Sequence, residues 1–419
     1  MSKNKENKKL TVLHVANLNQ PIRQDLDCYG PIEMVIHNLD KGLHTMGYRS
    51  VVACSGDSKV TGEHYITIDK SIGNYCLDRT SEGKKRLNHH LSRIIDRINM
   101  GDIDIIHTHD GQAVKSLYDS AADLNIPIVM TLHVAPEVSN FKDKYAHLAN
   151  SLITPLAHYV PISEYQKKQY TFMNTENVVY NGIDASEYTV NKNRDNNGYL
   201  FSIGRITPDK GQAVAIDVAK KSGRKLIIAG CVQDKTSDRA FFSKLKNSID
   251  LFIESNKYQN DDEYYNEVIT PVMESDKQII FVGEISDRQK KQLYSNAYAT
   301  LFPIQWGEPF GLVMTESMAS GTPVVALNKG SVPEIVLDKK TGYVVDSVKS
   351  MADSISIIDN IRPRICRKHV EDNFSVSKMA NDYLELYQNV LEQHLAKDKV
   401  NNSEVSPLKA LTPRKIVIP

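Results

Sequence analysis

Two carboxylates eight residues apart, Glu308 and Glu316, stand on either side of Phe310-Gly311-Leu312 in the stretch EPFGLVMTESMASGTPVVALN. Pro309 and Gly311 break the backbone there. The residues that follow predict a helix over 312–319, a C-cap glycine at Gly321 and a strand entered at Pro323. A helix start offers free N–H groups that attract anions. Carboxylates beside such a site would repel the anion unless they serve neutral hydroxyls attached to it. A sugar nucleotide has that chemistry, with phosphates for the amides and ribose and hexose hydroxyls for the glutamates. Two solvated surface glutamates are the competing reading, and the stretch alone does not choose between them.

Other residues of suitable type stand where buried strands end. Gly204-Arg205-Ile206-Thr207-Pro208-Asp209-Lys210-Gly211 carries two cations five residues apart around a turn. Arginine holds a diphosphate as a fork and lysine as a point charge. Ala229-Gly230, Val282-Gly283-Glu284 and Trp306-Gly307-Glu308 close three further apolar runs, and their glycines let backbone come near a ligand. GRITPDKG alone reads equally well as a surface turn. Repetition at successive strand ends favours a site, because ligands of parallel sheets gather outside the carboxyl ends of the strands.

In the first half, Tyr29-Gly30-Pro31-Ile32-Glu33 is a glycine turn opening a helix, and it is not the GxGxxG of dinucleotide binding. His133 follows the apolar run IPIVMTL, where a structural histidine is the commoner case. His107, His109 and Asp110 suggest a metal, but no third ligand stands out nearby, and Asp102 and Asp104 lead into the amino end of a strand. No metal is expected.

Short β-branched apolar runs alternate with helical patterns from end to end. Strands are predicted at 10–18, 48–56, 102–110, 126–134, 158–163 and 177–183, then at 198–206, 225–232, 278–285, 299–304, 323–328 and 342–346. Continuous apolar strands separated by helices imply parallel sheets covered on both faces. The Asn-rich 185–197 reads as a linker between a domain over 1–184 and another over 198–373. The fold class is therefore α/β, two doubly wound, Rossmann-like domains facing a cleft. The stretch after Gly230 is too long for one crossover. Within it Phe241, Phe242, Leu245, Ile249, Phe252 and Ile253 are expected on one helical face beside Arg239, Lys244, Lys246 and Lys257. Residues 395–419 read as an extended or mobile tail.

Composition narrows the class. The chain of 419 residues is long enough for two well-buried cores. Its 51 basic and 51 acidic side chains cancel, which argues against a nucleic-acid partner. Cys28, Cys54, Cys76, Cys231 and Cys366 are scattered without CxxC spacing and read as reduced thiols. The N-terminal MSKNKENKKL has no apolar signal core after it, and no apolar run reaches membrane-spanning length. A cytoplasmic protein is expected, with contact at the inner face of a membrane left open.

These motifs resemble the retaining nucleotide-sugar glycosyltransferases of family 4, which have the GT-B fold. The resemblance covers roughly residues 10–392 and rests on YGPIEMV, TLH, YNGID, GRITPDKG, FVGEI and above all EPFGLVMTESMASGTPVVA, that family's E-x7-E signature. It implies that Glu316 bonds the ribose hydroxyls and that Glu308 reaches the donor sugar. Amides of Phe310, Gly311 and Leu312 would lie along sugar and phosphate, and Arg205 and Lys210 would hold the diphosphate. His133 would lie beside the transferring sugar, and Gly30 would close over the phosphates. Gly204 and Gly283 belong to the donor-binding set by their motifs. Where the family often has Gly-Gly, this chain has Gly30-Pro31, and the stretch 235–259 reads as an insertion. Residues near 374–394 resemble the family's closing helix, which returns to the first domain.

The expected activity is transfer of a sugar, with retention, from a UDP-sugar or GDP-sugar to a hydroxyl of a glycan, a lipid-linked acceptor or a small molecule. It would serve cell-envelope polysaccharide or glycoconjugate synthesis with no cofactor beyond that donor. The rivals are a nucleotide-sugar epimerase of the same fold and a catalytically silent sugar-nucleotide-binding subunit. For the insertion at 235–259, packing against its own domain competes with contact to a partner subunit or a membrane.

Overall fold

The computed structural model describes residues 9–23, 30–73, 80–109, 113–114, 117, 125–135, 157–171, 174–191, 198–255 and 261–404. Tyr29, Cys28, Cys76, Asp110, the end of the linker at 192–197, the close of the insertion at 256–259 with Lys257, and the tail from 405 lie outside them.

The first sheet has six strands: β1 (Thr11–Val15), β2 (Arg49–Ser55), β3 (Glu63–Ile68), β4 (Ile105–Thr108), β5 (Ile128–Leu132) and β6 (His158–Pro161), in the order β3-β2-β1-β4-β5-β6. All its pairings are parallel. The second sheet has seven: β7 (Leu200–Ile203), β8 (Leu226–Ala229), β9 (Leu251–Phe252), β10 (Ile279–Gly283), β11 (Ala299–Phe302), β12 (Val324–Leu327) and β13 (Gly342–Val345), in the order β13-β12-β11-β7-β8-β10-β9. These too pair in parallel. In both sheets the central strands are buried along their length, as continuous apolar runs require.

The helix Val376–Glu404 carries the chain back to the first domain. Its Met379, Ala380, Tyr383, Tyr387 and Val390 enter one core with Val12, Val35, Leu39, Ile105 and Val129. Each fully buried aliphatic side chain in such a core is worth about 1.5–3 kcal/mol, so this helix is part of the first domain's stability. The two crossings between domains lie side by side. The Ile183 N–H donates to the Phe374 carbonyl at 2.9 Å, and the Val376 N–H donates to Ile183 at 3.2 Å. The domains also touch through Glu334, whose carboxylate accepts from the amides of Glu164 (2.8 Å) and Tyr165 (2.6 Å) and from the Tyr180 hydroxyl (3.1 Å).

Four expectations need correction. NVVYNGI adds no strand to the first sheet; the Val179 N–H reaches Pro161, but the segment then peels away and keeps only a bridge from Ile183 to Ser375. β3 lay hidden because an edge strand with polar and half-buried residues lacks a continuous apolar run. The insertion is not one helix. Thr236–Leu245 is helical, but Ile249, Phe252 and Ile253 come after it, and Leu251–Phe252 joins the sheet edge as β9. Asp250 makes that turn possible, because its carboxylate accepts the N–H groups of Gln278 and Ile279. Leu245 is buried, and Phe242 packs 4.9 Å from Phe281, while Phe252 stays 46% exposed. The closing helix outruns its expected end and takes in 395–404, a stretch containing the good helix formers Leu395, Ala396 and Lys397. Asp102 and Asp104 precede β4 as expected and do not line the cleft; Asp102 pairs with Arg49 and Arg97, and Asp104 accepts the Thr11 N–H at 2.8 Å.

Cys54, Cys231 and Cys366 are free thiols. No helix among the described residues is long and apolar enough to cross a membrane.

Candidate functional site

The carboxyl ends of both sheets open on one cleft. Of the residues singled out from sequence, Gly30, His133, Gly204, Arg205, Lys210, Glu308, Phe310, Gly311, Leu312 and Glu316 line it. Gly283 is not among the lining residues. Its carbonyl accepts the Gly230 N–H at 2.7 Å, and Glu284 and Ile285, which follow it, reach the cleft instead.

Two helices begin at this cleft after a glycine. Pro31–Thr45 starts after Gly30 and Leu312–Ala319 starts after Gly311, and neither N-terminus receives a side-chain cap. The helices beginning at Ser81, Glu164, Asp287 and Val348 are capped by Thr80, Ser163, Ser286 and Ser347, whereas those beginning at Gln212, Thr236 and Pro363 share the uncapped start. A helix start without a cap leaves its first N–H groups and the positive end of its dipole unanswered. At the cleft that dipole end is left for a ligand. Glycine is required at 311: its φ is 82°, and an added Cβ would lie 2.7 Å from Met314 Cε. The turn before it is fixed by Ser331, whose hydroxyl donates to the Phe310 carbonyl and whose N–H donates to that of Glu308, both at 2.9 Å. Phe310 itself is buried, with Tyr180 and Phe374 around its ring.

The acidic pair is held by cations. Lys210 Nζ lies 2.6 Å from Glu308 Oε2 and 5.3 Å from the centre of the Trp306 ring. Lys290 Nζ lies 2.7 Å from Glu316 Oε1 and 3.2 Å from Asp287, and the Tyr294 hydroxyl donates to Glu316 Oε2 at 3.0 Å. Burial works against the Lys290 charge, yet Glu316 and Asp287 prevail and hold its pKa above the usual lysine range. Ion pairs lead on from there: Asp287 to Lys291 at 2.5 Å, Lys291 to Glu187 at 2.9 Å, and Glu187 to Lys41 at 3.4 Å on the first domain. The ribose candidate is thereby connected to the crossing between domains. Arg205 makes a longer contact, from Nη1 to Gln233 Oε1 at 3.3 Å.

Behind His133, which lines the cleft, the first domain packs three further, buried imidazoles. His14 on β1 faces His107 on β4, its partner in the sheet register, with ring centres 5.4 Å apart. His107 bonds Tyr387 Oη at 2.6 Å and Thr131 Oγ1 at 2.7 Å, and Thr131 also meets the Tyr383 hydroxyl at 2.6 Å. His109 Nδ1 lies 2.9 Å from His133 Nε2. Burial lowers all four pKa values, to about 4 for His14 and about 3 for His133. The fold thus supplies the third imidazole beside His107 and His109 that the sequence hides, and the nitrogens of the three approach within 4.8 Å of one another. His107, however, spends both of its nitrogens on protein partners, which leaves two imidazoles with ring nitrogens that have no partner among the described residues: both of His14 and Nε2 of His109.

Sequence reasoning missed Asp287, Lys290, Tyr294 and His14, and it weighed His109 only as a metal ligand. Only the SDRQKK run after FVGEI gave a local sign of Asp287 and Lys290. The rest depend on strands and helices distant in sequence.

Comparison with known proteins agrees with this geometry. Residues 32–187 match the family model "Glycosyltransferase Family 4", and residues 186–363 match "Glycosyl transferases group 1". The putative glycosyltransferase YtcC of Bacillus subtilis is 25% identical over 332 residues, 72% of this chain and 77% of the relative. Among solved structures, the sucrose-phosphate synthase of Thermosynechococcus elongatus superposes with a TM-score of 0.65 at 16% identity, covering 92% of this chain and 100% of that one. The Anabaena protein HepE, solved with UDP and glucose, gives 0.63 at 16% identity over 90% and 99%.

Proposed function

The chain belongs to the GT-B glycosyltransferases of the family 4 kind, and from that premise we propose that it is a metal-independent, retaining transferase using a UDP-sugar or GDP-sugar. The observation that carries the donor class is the pair of uncapped, glycine-started helix N-termini that line one cleft together with Arg205 and Lys210. That arrangement suits a diphosphate, and its amides and cations stabilise the charge that develops on the leaving group without a metal. Glu316 takes the ribose hydroxyls, and Glu308 takes a hydroxyl of the sugar once Lys210 turns to the diphosphate. Of the carboxylates described at the cleft, Glu308 pairs with Lys210 and Asp287 and Glu316 pair with Lys290, which favours same-face displacement through an oxocarbenium-like state over a covalent intermediate. HepE was solved with UDP and glucose, a precedent for the donor class in this fold. The acceptor is a hydroxyl of a glycan, a lipid-linked sugar or a small molecule, entering from the first domain's side.

A panel of UDP- and GDP-sugars, read by donor hydrolysis and then by transfer to an acceptor library, tests this reading. One donor is expected to turn over in excess EDTA, and transfer is expected to preserve the anomeric configuration. Loss of activity on chelation, restored by magnesium or manganese, overturns the metal-free site. Conversion of the donor to an epimer without acceptor overturns the transferase.

A further inference from the structure

The contact between His109 and His133 has a direction that the surrounding atoms determine. Only one hydrogen can lie between His109 Nδ1 and His133 Nε2, which are 2.9 Å apart. If His133 donated it, His109 would carry its own proton on Nε2, and that buried nitrogen has no hydrogen-bond partner among the described residues. A buried N–H without an acceptor is rarer and costlier than an unused lone pair. The proton therefore belongs on His109 Nδ1, and His133 Nε2 accepts it. The His109 ring is held in this orientation between His107, at 4.3 Å between centres, and His133, at 5.2 Å. His107 is in turn fixed by Tyr387 and Thr131.

We propose that His109 is a positioning residue: its Nδ1–H locks His133 in the Nδ1–H tautomer, so that the cleft meets an imidazole N–H donor rather than a lone pair. On the proposed function, that donor suits a sugar oxygen at the transferring residue. Burial keeps His133 from taking a second proton, since its pKa falls to about 3. The donor is thus neutral and unchanged across the pH range in which a free imidazole would titrate. His109 contributes through His133 and need not touch the substrate.

Ring nitrogen shifts of histidine-labelled protein, with His133 assigned through a His133→Gln variant, read the tautomer directly and without turnover. In the wild type we expect a protonated Nδ1 and a bare Nε2 on His133. His109→Phe keeps an aromatic ring and removes the donor, so His133 is expected to shift toward the Nε2–H form. The same variant is expected to lose roughly tenfold in kcat, about the value of one hydrogen bond, with the donor KM within a factor of about two. His109→Asn, which can place an N–H near the lost Nδ1, is expected to recover most of that rate. A bare Nδ1 on wild-type His133, or the same tautomer in His109→Phe, overturns the proposal. The tautomer is read independently of catalysis, so failure of the glycosyltransferase reading would appear separately, as no turnover of any UDP- or GDP-sugar by the wild type.

Discussion

On the first domain's side His133 lines the cleft and His14, His107 and His109 are buried behind it, all four with pKa values lowered by burial. The wall contributed by the second domain carries full charges held in pairs, Lys210 with Glu308 and Lys290 with Glu316. The two use opposite means of placing polar groups beside a ligand. Neutral donors and acceptors need no counter-charge, and they suit a partner rich in hydroxyls. Paired charges can exchange partners, and an arriving diphosphate can take Lys210 from Glu308 and release that carboxylate for a hydroxyl. The chain's formal charge of zero conceals this division.

The largest expected consequence concerns acid. A histidine whose folded pKa lies below its unfolded value of 6.5 takes up its proton only on unfolding as pH falls through that value. Stability is therefore present above about pH 6.5 and is lost below it, until the folded state itself protonates near pH 4 or 3. With four such rings in one cluster, urea unfolding is expected to lose several kcal/mol between pH 7 and 5, where most carboxylates remain ionised. His14→Phe removes a ring whose nitrogens both lack partners and should flatten that slope at little cost at pH 7. A slope that is flat in the wild type would dissolve the contrast between the walls.

Lys210→Ala comes next, with an expected loss of about 2–4 kcal/mol in transition-state stabilisation, measured as kcat/KM for the donor. The fold should persist, since the cleft hydrates the Glu308 carboxylate left behind. Near wild-type turnover would mean that this wall does not hold the diphosphate. Glu316→Gln keeps the shape but weakens charge-assisted bonds, for an expected loss of roughly 1.5–3 kcal/mol in donor affinity. A 2′-deoxyribose donor should lose affinity for the wild type and little more for this variant. Additive losses would instead show that Glu316 and the ribose do not meet. The smallest effect is expected away from both walls. Phe252 is 46% exposed at the β9 edge, so Phe252→Ser should change the unfolding free energy by less than about 1 kcal/mol and leave donor kinetics unaltered.

Much of this architecture is written locally. Gly311, the run Leu312–Ala319, Gly321 and Val324–Leu327 occur in the structure in the order that helix-start, cap and strand signals specify. Each signal acts within a few residues: a broken backbone, a 3.6-residue stripe, a glycine with positive φ. The alternation of apolar runs likewise fixed the parallel, two-domain class, because a strand buried on both faces has few other compositions open to it. The E-x7-E pair was legible for the same reason, with chemistry and spacing inside one turn and one helix.

Tertiary structure decided what one segment does for another. β3 and β9 are strands because a sheet edge was there to receive them, and Ile249, Phe252 and Ile253 left the expected helix on that account. Gly283, identical in kind to the cleft glycines, turned its carbonyl to Gly230 because the β8–β10 register placed them together. His14 joins His107 only through the pairing of β1 with β4, 93 residues apart in sequence, and Lys290 meets Glu316 only where two helices pack. Periodicity shows which face of a segment is apolar; it carries no record of which distant side chain will share a desolvated space. In such a space burial lowers the pKa of a basic group and a nearby opposite charge raises it, as the four histidines and Lys290 show.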